Sequence, residues 1–196
     1  MIVGADFRTA KLKGAVWTKA VLQEANFSGL DLSGVDFGRC QMMDADLSSV
    51  VLHGARLEQT NLKGAKLANA KLTGAKARMA IFVGAHSTDA VFDGALLDGS
   101  LFVDADVSRA SFARCSLEQA QFTRARAERT DFTAANLTYA DFSHAHLSRA
   151  NFTSARMTRA QLHRAAAEGL IGTAALADAI LEDTALAEAE AWQPRY

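Results

Sequence analysis

The stretch AIFVGAHSTDAVFDGALLDGSLFVDADVSRASF (residues 80–112) carries a phenylalanine at every tenth position. The spacing continues to residue 152 and gives one register of aromatic residues: Phe82, Phe92, Phe102, Phe112, Phe122, Phe132, Phe142 and Phe152. All 11 phenylalanines of the chain lie at positions whose number ends in 2 or 7. A five-residue repeat therefore underlies the sequence, and an internal repeat of this kind decides the architecture before any local feature.

The repeat runs without insertion or deletion from residue 5 to residue 164, which is 32 pentads. The third residue of each pentad, the centre, is large and apolar in 29 cases, and the first residue is Ala in 24. An α-helix would rotate successive centres by roughly 140° and spread them over its surface, and a flat strand would send them to alternate faces. The pattern instead predicts a chain that turns once per pentad, with the first and central residues inside.

A second period of twenty residues groups the pentads in fours. Between the phenylalanines of residues 82–152, the centres alternate between small and large residues: Ser87, Leu97, Val107, Leu117, Ala127 and Leu137. Four pentads per coil predict a square cross-section with Phe on two opposite walls, Leu on the third and small residues on the fourth, because close packing requires compensation for bulky rings. The eight phenylalanines of residues 82–152 are the predicted core.

Pentads such as ADFRT (5–9), ANFSG (25–29), ADLSS (45–49) and TDFTA (130–134) resemble the pentapeptide-repeat family, whose unit is written A(D/N)LXX. The resemblance covers at least 160 of the 196 residues. It implies an all-β fold, a right-handed quadrilateral parallel β-helix with about eight coils in residues 5–164. The best-known relatives in this family protect DNA gyrase or topoisomerase IV from quinolones and peptide toxins, typically as dimers through their C-terminal coils.

The two ends of the repeat differ. Residues 1–4 fit a partial pentad, so we expect no N-terminal cap, and an open coil edge can pair with another chain. Near the other end we expect a four-residue slip at AAAE (165–168), after which the pattern resumes. The resumed centres are Ile171, Leu176, Leu181, Leu186 and Ala191. A terminal helix is the alternative, because this segment is rich in Ala, Leu and Glu.

These features predict two parts of the chain. The first is the β-helix over residues 1–164. The second is a C-terminal extra coil or helical cap over residues 165–196, which is also a candidate dimerisation segment. Trp192 and Tyr196 are the candidate aromatic residues for closing this end or for contacting a partner.

The composition excludes several classes of protein. A net charge of −1 disfavours both a general nucleic-acid binder and a uniformly acidic mimic of DNA. No apolar run approaches the ~18 residues of a membrane span, and the first residues lack the pattern of a signal peptide. We therefore expect a cytoplasmic protein without a membrane partner. Cys40 and Cys115 replace Ala at inward positions, so we expect buried thiols that do not bond to each other.

No catalytic motif interrupts the repeat. The sequence has no nucleotide-binding glycine loop, no Cys-X-X-Cys and no His-Glu-X-X-His, and a filled solenoid offers no pocket. His144, His146 and His163 lie near one corner of the last coils, but outward positions on a rod do not enclose an ion. We therefore expect solvated histidines, no metal, no cofactor and no enzymatic activity.

One outward pattern is a stack of apolar residues. Its members occupy outward positions on the same wall of neighbouring coils, with Val91 and Leu96 nearby. The stack consists of Ile81, Val83, Leu101 and Val103. Because stacked apolar residues form a patch and isolated ones do not, this wall is a candidate contact with a partner or with a second copy. A tolerated β-branched surface is the alternative.

A second outward pattern is a ladder of arginines at twenty-residue spacing: Arg109, Arg129 and Arg149. Arg126 and His146 lie alongside it. Like charges one coil spacing apart, about 5 Å, repel each other. The ladder therefore suggests an anionic partner or pairing with residues such as Glu128, and an ordinary solvated face is the further alternative.

The predicted function is that of a non-enzymatic scaffold, a rigid rod that presents ladders of side chains to a protein partner. A first alternative, from the family resemblance, is a mimic of DNA that binds gyrase or topoisomerase IV and confers antibiotic resistance. The absence of an inserted loop and the near-neutral charge argue against it. A second alternative is an assembly component that stacks through its open coil end, and a homodimer through either end is compatible with both.

Overall fold

The computed structural model describes residues 3–12 and 15–191. The chain forms stacked coils of twenty residues, in which the second residue of a pentad forms a parallel bridge with the residue twenty positions later. The bridges form four lines along the molecule, and the first and last in the twenty-residue register are Asp6↔Asn26 and Asn151↔Ile171. The protein is thus a right-handed quadrilateral β-helix, as predicted, with bridges of single residue pairs in place of longer strands.

Backbone hydrogen bonds explain why the repeat has five residues. The N–H of a centre donates to the next coil, as Phe82 does to the carbonyl of Leu101 at 2.7 Å. The N–H of a first residue closes the turn on the preceding centre, as Ala85 does to Phe82 at 2.9 Å. Successive coils thus satisfy each other's donors and acceptors, as buried backbone groups require.

The Asp or Asn at the second position of many pentads satisfies one more donor. Asp46 Oδ1 accepts the N–H of Ser48 at 3.0 Å, and Asp131 Oδ1 accepts the N–H of Thr133 at 3.0 Å. This side-chain contact with the backbone two residues on is the turn that Asp and Asn favour. It gives the acidic or amide position of the repeat a physical cause.

The interior is filled by the first and central residues. The eight phenylalanines predicted as the core are all fully buried. Rings on the same wall stack, as Phe82 and Phe102 do at 4.6 Å between centroids, and rings on opposite walls meet edge to face, as Phe82 and Phe92 do at 5.9 Å. Both arrangements are favourable for aromatic pairs, so the two columns form one continuous aromatic core.

The twenty-residue register continues beyond residue 164. Ile171 forms a bridge with Asn151, so the slip predicted at residues 165–168 is wrong. Ile171 and Leu181, both predicted as inward centres, are 53% and 57% exposed, and Ala191 is exposed as well. The prediction failed because Ala167, which holds the central position of its pentad, is too small to mark the register.

The chain leaves the β-helix at Gly172. A 3₁₀ helix spans Thr173–Asp178, and an α-helix, α1, spans Thr184–Ala191. Gly172 has a φ of 76°, and a Cβ at this position would lie 2.3 Å from the backbone nitrogen of Thr153. Only glycine therefore permits the chain to turn away this close to the coil below.

A last bridge joins Ile180 to Gln161, nineteen residues apart instead of twenty. One residue of register is thus lost between the coil and α1. Both alternatives for the C-terminal segment occur in part, because an extra stretch of coil precedes a helix. The division into parts at residue 164 stays a prediction. Among the described residues, no helix is long and apolar enough to cross a bilayer.

Candidate interaction surface

We call the wall segment formed by Ile81, Val83, Leu101 and Val103 the apolar face. Ile81 and Leu101 are paired directly in a bridge, and all four side chains are half-buried. The coil that follows carries Gln121 and Thr123 at the equivalent positions. The apolar face is therefore two coils high and ends at a polar boundary.

A shallow cavity of about 650 Å³ lies at the corner next to the apolar face. We call it the Gly99 hollow. Leu101 lines it together with two exposed apolar side chains, Met79 and Tyr139, whose exposures are 60% and 48%. Met79, Gly99, Gln119 and Tyr139 follow each other at twenty-residue spacing along this corner. The hollow exists because Gly99 contributes no side chain to that ladder.

The rim of the Gly99 hollow is polar. Arg78 Nε donates to Asp98 Oδ2 at 2.9 Å, and Glu118 and Gln121 complete the lining. An apolar centre inside a polar rim is the usual anatomy of a protein–protein contact. The hollow thus has the composition of a contact site as well as a concave shape.

The arginine ladder is neutralised at one end. Arg109 makes two hydrogen bonds of 2.8 Å to the carboxylate of Asp89, one coil earlier. Glu128, the predicted partner, is exposed and makes no ion pair with the ladder. Within the part of the chain that the structure describes, no carboxylate lies within salt-bridge distance of Arg129 or Arg149. The part of the ladder without such a pair thus consists of these two residues, and Arg126 is exposed beside them.

Paired arginines change the titration of their partners. The side-chain hydrogen bond from Arg109 holds the pKa of Asp89 below its usual range. The hydrogen bonds from Arg124 to Asp104, 2.7 and 2.9 Å long, lower the pKa of Asp104 in the same way. Each pair joins the same corner of two successive coils, so these contacts fasten one coil to the next.

Both cysteines are buried and free. The thiol of Cys40 donates to the carbonyl oxygen of Trp17 at 2.8 Å, and that of Cys115 donates to the carbonyl oxygen of Phe92 at 3.0 Å. Burial raises the pKa of Cys115 to about 12. Since the thiolate is the reactive form, these residues are parts of the core and not reactive groups.

The three C-terminal histidines have different environments. His146 is exposed and His144 is half-buried, whereas His163 is fully buried. The prediction of a solvated surface is therefore wrong for His163. The reason is that α1 packs over this corner and brings Glu190 against both rings. Glu190 Oε1 lies 3.1 Å from His144 Nε2, and Glu190 Oε2 lies 3.5 Å from His163 Nε2.

An arginine completes this cluster. Arg164 Nη1 lies 2.6 Å from Glu190 Oε2. Desolvation alone would raise the pKa of Glu190, but the contacts with His144 and His163 and the charge of Arg164 outweigh it and lower the pKa. An ionised Glu190 thus holds α1 against the last coils.

Sequence reasoning missed three residues of these sites. Met79 and Tyr139 stand at the fifth position of their pentads, and their twenty-residue spacing around Gly99 would have revealed the hollow. Glu190 had no comparable signal, because its place depends on the path of the chain after Gly172. The predicted contact residue Trp192 and the neighbouring Tyr196 lie outside the described residues.

Four lines of bridges, a filled interior and turns at five-residue intervals define the class of quadrilateral β-helical solenoids. The chain belongs to the pentapeptide-repeat family. The family model described as a pentapeptide repeat region matches residues 105–190, and the model of pentapeptide repeats in eight copies matches residues 2–39 and 40–76. No curated protein matches the chain as a relative.

Several solved structures of this family are similar to the chain. HetL, a pentapeptide repeat protein involved in heterocyst differentiation regulation in the cyanobacterium Nostoc, is 21% identical; the match covers 84% of this chain and 88% of HetL, with a TM-score of 0.41. QnrB1, a plasmid-mediated fluoroquinolone resistance protein, is 20% identical over 95% of this chain and 91% of its own, with a TM-score of 0.48. Rfr23 from the cyanobacterium Cyanothece is 15% identical over 90% and 95%, with a TM-score of 0.29. At identities this low, the matches describe a similarity of fold and carry no statement about the function of this chain.

Proposed function

We propose that this protein is a non-enzymatic scaffold that binds a protein partner through the apolar face and the Gly99 hollow. One observation carries the proposal. Two of the large apolar side chains that the β-helix leaves exposed, Met79 and Tyr139, flank the same hollow, and Leu101 joins them to the apolar face. A partner would insert a large apolar side chain there, because anchors of protein contacts occupy such pockets.

The rigidity of the β-helix supports this proposal. Leu97 and Phe102, the centres on either side of the hollow, are fully buried, and their N–H groups are bonded to the next coil at 2.7 Å. The surface above them is therefore fixed before a partner arrives. A preformed surface loses little conformational entropy on binding.

A matched pair of substitutions tests the proposal. Gly99 and Gly74 both have a φ of 66°, and Gly74 lies at a different corner with no atom within 4 Å of an added Cβ. Gly99→Arg fills the hollow, whereas Gly74→Arg imposes the same backbone strain elsewhere. Leu101→Glu places a charge in the apolar face. We expect affinity capture from the host, read by quantitative mass spectrometry, to recover a protein with the parent chain and Gly74→Arg and to lose it with the other two.

Equal recovery with all four chains, or no protein enriched by the parent chain, would contradict the proposal. The same measurement separates the alternatives. Recovery of a gyrase or topoisomerase IV subunit would support the topoisomerase hypothesis, and recovery of an untagged copy of the chain would support a homodimer or an assembly component. The cytoplasmic location stays a prediction.

A further inference from the structure

The α1 helix covers a histidine nitrogen that is buried without a hydrogen bond. His163 is fully buried, and among the described residues its Nε2 has no hydrogen-bond partner. Glu190 Oε2 lies 3.5 Å from this nitrogen. An unsatisfied buried nitrogen is rare in native proteins, and a bound ion is one of its standard explanations. This nitrogen points into the cluster that His144 and Glu190 complete.

The three side chains have the spacing of metal ligands. His144 Nε2 lies 3.1 Å from Glu190 Oε1, and one ligand atom from each of the three residues lies within 4.8 Å of the others. Four ligands placed tetrahedrally at zinc bond lengths stand about 3.3 Å apart. Glu190 Oε1 and Oε2 lie 3.1 and 3.5 Å from the two imidazole nitrogens, close to that separation, so a side-chain adjustment within the 4.8 Å cluster would receive an ion.

We propose that His144, His163 and Glu190 form a zinc site that fastens α1 to the last coils of the β-helix. Two imidazoles and a carboxylate are ligands that zinc accepts, and three protein ligands leave the fourth position to water. The two histidines come from corners of successive coils and the carboxylate from α1. The ion thus joins two elements whose sequences show no common motif.

The surrounding residues suit a ligand role for His163. Its Nδ1 accepts the backbone N–H of Asp183 at 3.3 Å, and Glu182 Oε1 lies 3.4 Å from the same nitrogen. Zinc on Nε2 requires the proton on Nδ1, and this N–H then donates to Glu182. A metal-bound histidine usually donates its second N–H to a carboxylate in this way. Zinc binding therefore exchanges the hydrogen bond from the Asp183 N–H for a hydrogen bond from Nδ1 to Glu182.

Arg164 is a cation that contacts the carboxylate of the proposed site. Its Nη1 lies 2.6 Å from Glu190 Oε2. A carboxylate offers about four acceptor sites, so Glu190 can accept from Arg164 and still bind the metal. Arg164 then orients the carboxylate. Because zinc sites couple to the folding of the segments they join, zinc binding stabilises the docked position of α1, independently of any partner at the Gly99 hollow.

Calorimetric titration of the full chain with zinc chloride near neutral pH tests this site. We expect one zinc ion per chain, and weakening of more than about 100-fold in His144→Ala and Glu190→Gln, since losses at outer-shell positions alone reach 10–100-fold. Glu182→Gln should weaken binding by about 10–100-fold. The control is His146→Ala, an exposed histidine of the same coil, which should bind zinc as the parent chain does.

Hydrogen exchange gives a second measurement that does not depend on removing a buried side chain. Zinc should slow exchange across residues 173–191 in the parent chain and not in His144→Ala. Circular dichroism of each variant checks that the β-helix is intact. Absence of zinc binding, or equal affinity in His144→Ala, Glu190→Gln and the parent chain, would overturn the proposal.

Discussion

Two parts of the β-helix fill the same interior in different ways. Between residues 47 and 72 every centre is leucine. From residue 82 to residue 152, phenylalanine alternates with leucine or smaller residues. The backbone hydrogen bonds of the two parts are nevertheless the same, because the N–H groups of Leu62 and Phe102 each donate to a carbonyl of the next coil at 2.7 Å. The hydrogen bonds and turns thus set the coil, and the interior has only to supply the right volume, as cores tolerate changes that conserve volume.

The corners of the two parts differ as well. Up to Gly99, glycine is frequent at the left-handed fifth position, but from Asp104 to Arg164 every fifth residue is a non-glycine with φ between 52° and 61°. A left-handed conformation costs an ordinary residue roughly 1–2 kcal/mol. The C-terminal part therefore accepts backbone strain in exchange for side chains at its corners, including the arginines that pair with Asp89 and Asp104.

The largest expected effect comes from removing an aromatic centre. Phe112 contacts four rings, with centroid distances of 4.6 Å to Phe92, 5.4 Å to Phe102, 5.8 Å to Phe122 and 5.3 Å to Phe132. We expect Phe112→Ala to lower the free energy of unfolding by about 3–5 kcal/mol, measured by urea denaturation.

Leu62→Ala in the leucine-filled part is the comparison for this variant. Its loss should be smaller by about 1 kcal/mol, because no aromatic pair is broken and such pairs contribute about 0.5–1.5 kcal/mol. A loss below about 1 kcal/mol for Phe112→Ala would show that the interior does not depend on the ring. A larger loss for Leu62→Ala would reverse the proposed difference between the two parts.

A smaller effect follows from strain at the corners. Gly94→Ala adds a Cβ to a left-handed position with φ of 65° and should lower stability by about 1 kcal/mol. Arg129→Gly removes the same strain and should raise stability. The gain is only about 0.5–1 kcal/mol, because glycine loses more entropy on folding. Arg126→Gly, at a bridge position without positive φ, is the control and should be destabilising. Urea midpoints measure all three, and destabilisation by Arg129→Gly would contradict the account of corner strain.

The regular part of the molecule was predictable because every coil repeats the same physical solution. The Ala and Leu/Phe positions of the pentads gave the interior, the twenty-residue period gave the walls, and the Asp or Asn at the second position follows from a turn such as that of Asp46 and Ser48. The aromatic columns from Phe82 to Phe152 needed no further information, since their register is local to the sequence.

The irregular part was not predictable for the opposite reason. Ala167 holds a central position without the size that marks one, and Gly172 ends the coil through a close approach to Thr153 that no local pattern reveals. The burial of His163 depends on α1, whose position depends on that exit. The Gly99 hollow was not predictable from the outward side chains alone, because it arises where a side chain is absent from a ladder.

The smallest expected effect concerns the ion pairs that fasten neighbouring corners in the C-terminal part. The pKa of Asp104 is lowered in the folded protein by its hydrogen bonds with Arg124, so the pair stabilises the folded state above the pKa of an unfolded aspartate, about 3.9. That contribution is lost as the pH falls through the lower folded pKa, because the folded state then takes up the proton as well.

We expect the stability difference between the parent chain and Asp104→Asn, measured by urea denaturation from pH 6 downwards, to shrink below about pH 4. In an Arg124→Gln background the same substitution should show little of this pH dependence. An unchanged profile in that background would mean that the corner pairs contribute nothing and that the arginines after Gly99 serve only the outer surface.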